Sequence, residues 1–375
     1  MKISTEIINK TVASIQELDT CSMEMARQRL DSLTKPRGSL GLLEDIAVKL
    51  AGICRGVPVS EPKTVIVLAG DHGIAGEGVS AYPQEVTCQM MRNFLSGGAA
   101  INVLARLTGA HVAVVDMGVL EEIEPHENLY IYRVRKGTGN IANGPAMTRE
   151  EAAAALEAGI EVAGKEIKKG CSVIAVGEMG IGNTSASSAI LSVLTGYKVE
   201  RVIGVGTGVN QEVLQKKITL VNQAVNVNLP NPNDPIDVLS KVGGLEIGGM
   251  VGVILGAAAA GVPVIVDGFV SGAAAMLAIE MAPLCSEYLF FSHLSAEAGH
   301  RVMLDWLKKE PFLHLNMRLG EGTGAVLAFP IIDAAVKIFQ EMATFREAGI
   351  SSGTEGGLDP ETEAQVFNEF WKRRF

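Results

Sequence analysis

The sequence predicts an α/β protein with a mainly parallel sheet flanked by helices, and three observations carry that prediction. Short β-branched runs alternate with helical patterns from Thr64 onward, as in a parallel sheet with helical crossovers. Glycine is abundant, at 42 of 375 residues, while aromatics make up only 5%; that mix suits helices packed closely on a sheet. Polar groups recur where strands end, at Asp71-His72, Asp116, Glu178, Asp267, Ser292-His293 and Glu321. In a parallel sheet such ends face one crevice, so these residues should converge on a single cleft.

Residues 1 to about 60 read as helical: a polar N-terminal helix, then Met23 to Leu33, then Leu40 to Ile53. The basic loop Thr34-Lys35-Pro36-Arg37-Gly38-Ser39 is either a solvated turn or a place where Lys35 and Arg37 reach an anion. Thr64 to Ala69 is a strand ending in Gly70-Asp71-His72-Gly73, and a helix starts near Pro83 and continues past Met91. Val112 to Val115 is the next strand. Thr148-Arg-Glu-Glu151 is a capping box opening a helix that runs to about Lys169, where Gly170 stops it.

Val173 to Val176 is a buried strand that breaks at Gly177, and Asn183, Thr184 and Ser185 cap the helix that follows. Val199 to Val205 reads as a strand running into Gly206-Thr207-Gly208 and a helix with Lys216 and Lys217. After the loop Asn228 to Pro235, residues 237 to 260 read as one helix, Pro263 to Val266 as a strand and Ser271 to Met281 as a helix. Tyr288 to Phe291 is a strand, and Leu313 to Leu319 a last extended piece. It ends in Gly320-Glu321-Gly322-Thr323-Gly324, ahead of a helix to about Ala343.

Composition excludes several classes. A net charge of −10 makes nucleic acid and anionic membrane surfaces poor partners. Five scattered cysteines without a CxxC pair read as the reduced thiols of a cytosolic protein. The N-terminus MKISTEIINKTVASIQELDT lacks the apolar core of a signal peptide. Ile247 to Val266 is uncharged and about long enough to span a bilayer. Gly261 and Pro263 interrupt it, however, and it reads better as a helix, a turn and a buried strand.

The stretch SVIAVGEMGIGNTSASS (172–188) combines a strand, a glycine turn and a helix N-terminus. Free backbone N–H groups and the helix dipole make such a turn an anion site, here with Glu178 at its mouth. Asp71-His72 has no partner at metal-ligand spacing and reads as a hydrogen-bonded pair. Gly204-Val-Gly-Thr-Gly208 invites a dinucleotide reading, but no acid falls between Glu212 and Asp234, where the ribose-binding carboxylate belongs. Gly180-Ile-Gly182 has Glu200 at about the right distance, at the wrong end of its strand. No P-loop, GxSxG elbow or HExxH is present. Asp267 is a loop cap or a ligand group. Glu321 between glycines is a turn residue or an accessible general base.

Taken together, LTKPRGSLG (33–41), AGDHGI (69–74), GEMGIGNTSA (177–186), LSKVGGLEIGGM (239–250), DGFVS (267–271), SHLSAE (292–297) and MRLGEGTGA (317–325) resemble the nicotinate-nucleotide–dimethylbenzimidazole phosphoribosyltransferase (CobT) family. The match runs in order over about residues 23 to 345 and leaves out the tail from about Arg346.

The resemblance implies transfer of 5-phosphoribose from nicotinate mononucleotide to 5,6-dimethylbenzimidazole, yielding the lower-ligand nucleotide of cobalamin. It implies a Rossmann-like sheet in a large α/β catalytic domain (61–329), with a small helical domain built from both chain ends (1–60 plus 330–375). It also implies a cytoplasmic homodimer. Glu321 matches the general base, Glu178 a second carboxylate, Gly180, Gly182, Asn183 and Thr184 the phosphate segment, and Lys217 a phosphate-side lysine. Gly204, Gly206, Asp267, Ser292 and His293 join the substrate-binding set. The azole should sit against Val79 to Met90, where Ser80, Tyr82 and Met90 depart from the family pattern; Tyr82, Met90 and Leu319 would suit a flat apolar ring. No cofactor and no metal is implied, because the leaving pyridinium is already cationic.

Two other classes stay open on the residues alone. One is another enzyme on the same cleft, a nucleoside phosphorylase or an NAD-linked oxidoreductase. The other is a non-catalytic binder of a cobamide precursor.

Overall fold

The computed structural model describes residues 5–351 except 205 and 207. Its sheet has six parallel strands, β1 (Lys63–Gly70), β2 (His111–Gly118), β3 (Leu129–Ile131), β4 (Val173–Met179), β5 (Val264–Val266) and β6 (Leu289–Phe291). Their spatial order is β3-β2-β1-β4-β5-β6, the doubly wound Rossmann order. Connections run outward in opposite directions from β1 and β4, so the crevice for a ligand opens where those two strands separate. β1 is buried along all eight residues, which is why KTVIVLAG reads as a continuous apolar run rather than an alternating one.

The chain begins with helices α1 (Glu6–Ser14), α2 (Thr20–Ser32) and α3 (Leu42–Cys54). Asp19 caps α2 by accepting from Cys21 N at 3.1 Å. Between β1 and β2 lie α4 (Val86–Leu95) and α5 (Ala100–Thr108), and α6 (Arg149–Lys168) precedes β4. The capping box of α6 forms as its sequence requires: Glu151 N donates to Thr148 Oγ1 at 3.1 Å, and Thr148 N to Glu151 Oε2 at 2.8 Å. Next come α7 (Asn183–Thr195), α8 (Val199–Val202), α9 (Gln211–Asn228), α10 (Pro235–Val242) and α11 (Leu245–Ala259). The last three are α12 (Phe269–Met281), α13 (Ala298–Leu307) and α14 (Thr323–Glu341).

Several elements differ from the sequence reading. The strand expected over Val199 to Val205 is the short helix α8 instead. Val199 and Val202, three apart, are buried while Glu200 and Arg201 are exposed, a helical spacing that a β-branched run disguises; Val205 lies outside the described residues. The helix expected over 237–260 is two helices, because Gly243 and Gly244 both adopt extended backbone between α10 and α11. Leu313 to Leu319, read as an extended piece, runs beside the chain beyond β6 and makes one bridge, His293 with Leu313. Strand β3 and helix α5 escape the sequence reading. The three residues of β3 are only partly covered at the sheet edge, and α5 has no side-chain N-cap.

The uncharged stretch 247–266 divides as expected. α11 is buried over 13 of its 15 residues, Gly261 turns in the left-handed region, and β5 follows. α14 is long and apolar enough to cross a membrane, but Ala325, Val326, Phe329 and Ile332 face the core. It also links the two chain ends: Arg29 Nε of α2 donates to Phe339 O at 2.8 Å. Residue 330, the expected domain boundary, falls inside this continuous helix. Of the five cysteines, Cys88, Cys171 and Cys285 are buried, Cys54 is partly buried and Cys21 is exposed.

α6 and α11 touch backbone to backbone. A Cβ on Gly159 would run into Gly249 O, and one on Gly252 into Leu156 O. Gly159→Ala should therefore force the helices apart and cost about 3 kcal/mol, the upper end of overpacking penalties. Urea unfolding would measure it; an unchanged midpoint would show that the pair can separate freely.

Candidate active site

β4 ends in Gly177-Glu178-Met179, and its continuation turns through Gly180 and Gly182 into α7. Gly182 is the N-cap in the left-handed region (φ 101°), where a side chain is strained. Asn183, first in the helix, donates its amide to Glu178 Oε2. Burial pushes the Glu178 carboxyl up to about 8, and the nearby charges of Glu246, Asp267 and Glu321 push the same way. At neutral pH Glu178 therefore holds a proton.

Glu321 sits in a loop of three consecutive left-handed residues: Gly320 (85°), Glu321 (61°) and Gly322 (85°). Left-handed backbone costs a non-glycine residue about 1–2 kcal/mol, so tertiary contacts have to hold Glu321 there. Asp267 at the end of β5 supplies them, accepting from Gly322 N at 3.2 Å and Ala325 N at 3.0 Å and so capping α14. Thr323 Oγ1 adds a bond to Gly320 O at 2.8 Å. On the other flank Glu321 N donates to Glu178 O at 3.2 Å. The Glu321 side chain, 4% exposed, turns to the first turn of α5 and accepts from Ile101 N at 3.3 Å. Its carboxyl is raised by burial, with the Ile101 N–H opposing.

Asp267 is itself raised to about 7 by burial, against its backbone donors. His293 Nδ1 lies 3.6 Å from Asp267 Oδ1. Burial holds the imidazole down at about 4, so at neutral pH this contact is not an ion pair. Ser292 Oγ, 3.1 Å from His293 Nδ1, fixes the ring from behind.

Helices α7 and α9 meet at Lys217. Lys217 of α9 is 1% exposed, and its Nζ donates to Thr184 Oγ1 at 2.8 Å and Gly204 O at 3.3 Å. Burial lowers it to about 8, with Glu297 pulling the other way. Gly206 leaves room here: a Cβ on it would lie 3.0 Å from both Lys217 Nζ and Thr184 Oγ1. A second helix N-terminus, that of α12, enters the same space with Gly268, Phe269, Val270 and Ser271. Two helix N-termini thus face one cleft of about 370 Å³.

The cleft brings together the expected Glu178, Gly180, Asn183, Thr184, Gly206 and Asp267. Tyr82, Met90, His293, Leu319 and Glu321 line it too. Tyr82 and Leu319 are 56% and 57% exposed, so apolar faces stand open to solvent at its wall. Gly182, Gly204, Lys217 and Ser292 are not in the wall but support residues that are. Ser80 is not in the wall either; its hydroxyl accepts from Tyr82 N at 3.1 Å and shapes that turn.

Convergence of all six strand ends does not occur. Asp71 accepts from Leu120 N, and His72 Nε2 lies 2.7 Å from Glu246 Oε1 beneath the cleft. Asp116 is consumed by Gly118 N, Val119 N and Arg133. Lys35 pairs with Glu44 at 2.9 Å, an internal contact. Among the described residues no group of three or more His, Cys, Asp or Glu could hold a metal ion. Sequence reasoning missed Ser271, Ser295, Glu297 and Arg318 in the wall. All four lie in or beside the segments DGFVS, SHLSAE and MRLGEGTGA, so position next to a strand end was the available signal.

The raised Glu178 has a consequence for stability. Between its usual value near 4.5 and about 8 the folded state holds a proton that the unfolded chain has released, so this group lowers stability as pH rises through that window. Glu178→Gln removes the effect. Its Tm should gain on wild type steadily from pH 5 to pH 8, by about 1 °C per kcal/mol relieved in a chain of this length; a pH-independent difference in calorimetry would mean that Glu178 is ionised throughout.

Comparison with known proteins places this geometry. A phosphoribosyltransferase family model matches residues 15–350. The nicotinate-nucleotide–dimethylbenzimidazole phosphoribosyltransferase of Desulforamulus reducens is 56% identical over 350 residues, covering 92% of this chain and 99% of its own. That of Halalkalibacterium halodurans is 52% identical, covering 93% and 98%. The crystal structure of the Thermus thermophilus enzyme superposes with a TM-score of 0.85 at 46% identity, over 90% of this chain and 100% of that one. The chain is a phosphoribosyltransferase and belongs to the nicotinate-nucleotide–dimethylbenzimidazole phosphoribosyltransferase family.

Proposed function

We propose that the cleft transfers 5-phosphoribose from nicotinate mononucleotide to 5,6-dimethylbenzimidazole, giving α-ribazole 5′-phosphate and nicotinate for nucleotide-loop assembly of cobalamin. The names of the relatives support the substrates. The observation that carries the mechanism is Glu321, a carboxylate with flanking glycines, held by Ile101 N and set in the wall of a cleft that also offers two helix N-termini.

In the reaction an azole nitrogen lone pair attacks C1′ of the donor from the face opposite nicotinate, which inverts the β-linkage to α. The C1′–N bond to the pyridinium breaks with its electron pair leaving on nicotinate. The azole N–H proton passes to Glu321. Burial raises the Glu321 carboxyl toward the operating pH, where a base is most effective. Gly180, Asn183, Thr184 and Gly206 surround the 5′-phosphate, with the Lys217 ammonium behind Thr184. Neutral, protonated Glu178 sits beside the reacting centre without adding a charge that would repel the phosphate. The exposed faces of Tyr82 and Leu319, with Met90, receive the flat azole.

The same reading includes a division into a small helical domain (1–60 plus 330–375) and a large α/β domain (61–329), supported by the packing of α2 and α3 on α14; residues beyond 351 lie outside the described residues. It also includes a cytoplasmic homodimer. Val103 and Leu107, exposed four apart on α5, leave an apolar stripe consistent with a partner.

Incubation with both substrates, followed by mass, tests the reaction: α-ribazole phosphate and nicotinate should appear. Glu321→Gln should keep donor binding and lose about 10²–10⁴-fold in kcat; full turnover would remove Glu321 from the role of base. kcat/KM should rise with pH as Glu321 ionises, then fall above about pH 8 as Glu178 and Lys217 lose their protons. Glu178→Gln should leave only the Lys217 contribution to that alkaline fall, and an identical profile would clear Glu178 of it.

A further inference from the structure

Glu297 lines the cleft beside Ser295 and has no task so far. It is the N-cap residue of α13, a position from which a polar side chain commonly turns back onto the helix's free N–H groups. Glu297 does not; its side chain makes no capping bond. The residue is only 5% exposed, and among the described residues neither carboxylate oxygen has a hydrogen-bond partner. The other three carboxyl groups of the cleft wall are engaged: Glu178 by Asn183, Asp267 by Gly322 and Ala325, Glu321 by Ile101. A buried carboxylate with both oxygens empty is costly unless something fills them.

Space has been kept for this group. A Cβ on Gly204 would collide with Glu297 Oε2, so glycine at 204 is what lets the carboxylate occupy its place. The carbonyl of the same Gly204 accepts from Lys217 Nζ at 3.3 Å, which sets Glu297 beside the phosphate-side lysine and not paired with it. The empty positions are two oxygens, which accept hydrogen bonds, so a ligand that fills both must bring donors. On the reaction proposed above, the substrates bring few. The phosphate and the nicotinate carboxylate are acceptors at neutral pH, and the azole N–H goes to Glu321. The 2′- and 3′-hydroxyls of the ribose remain, two adjacent donors for two empty oxygens.

We propose that Glu297 reads the ribose: its two oxygens accept the 2′- and 3′-hydroxyls of the phosphoribosyl donor, so that the cleft selects a ribosyl over a deoxyribosyl phosphate. This rests on the phosphoribosyl reading of the cleft, and the contact can be tested without the reaction. Binding of ribose 5-phosphate and 2-deoxyribose 5-phosphate would be measured by calorimetry on the full chain, wild type, Glu297→Gln and Glu297→Ala. Wild type should favour the ribose by about 10–100-fold, the range of a hydrogen bond to a charged group. Glu297→Ala should bring the ratio within about threefold by weakening the ribose compound more than the deoxyribose compound, which has only its 3′-hydroxyl contact to lose. Glu297→Gln, which keeps the shape of the side chain and the fold, should fall between them. No discrimination in wild type, the wild-type ratio kept in both variants, or an equal loss for the two sugars would each overturn the proposal. In parallel, wild type and the variants are given nicotinate mononucleotide and the azole. A protein that separates the two sugars through Glu297 yet transfers nothing would support the ribose contact and overturn the proposed reaction instead.

Discussion

Three carboxyl groups, Glu178, Asp267 and Glu321, share one buried wall, and the cost of placing negative charge there governs the rest of the cleft. Each is handled differently. Asp267 is placed at the N-terminus of α14, where backbone N–H groups meet it. Glu321 is turned to the N-terminus of α5. Glu178 is met by the Asn183 amide and stays protonated near neutrality. Identical chemistry in the sequence thus gives a cap, a carboxyl held by the N-terminus of α5 and a neutral acid, because the donors facing each are different.

Asp267 ties this electrostatics to geometry. Its bonds to Gly322 and Ala325 fix where α14 begins, and the start of α14 fixes the left-handed turn that presents Glu321. Gly177 lets the loop press down on the sheet, since a Cβ there would meet the Glu321 carbonyl. The high glycine content that first suggested an α/β protein has this use at the cleft and a second one between α6 and α11, where backbones touch. In both places the missing side chain is what permits the approach.

Lys217 is buried and bonded to a hydroxyl and a carbonyl, with no carboxylate within ion-pair distance among the described residues. Burial lowers its affinity for a proton, and Glu297 pulls the other way.

The sequence by itself determined the sheet's parallel character, the cap of α6, and the strand-end positions of Glu178, Asp267 and His293, because burial periodicity and turn chemistry are local; the cap of α7 is Gly182 and not the expected Asn183, Thr184 or Ser185. The ordered motifs also determined the family. Tertiary structure alone decided that Val199 to Val202 coils, that Gly243-Gly244 splits a helix, and that Asp71, His72 and Asp116 spend their polar groups on neighbours. It alone decided the proton on Glu178 and the empty oxygens of Glu297. A charged side chain far from its partners in sequence acquires its role from what faces it across the fold, and that facing is set by packing, not by spacing along the chain.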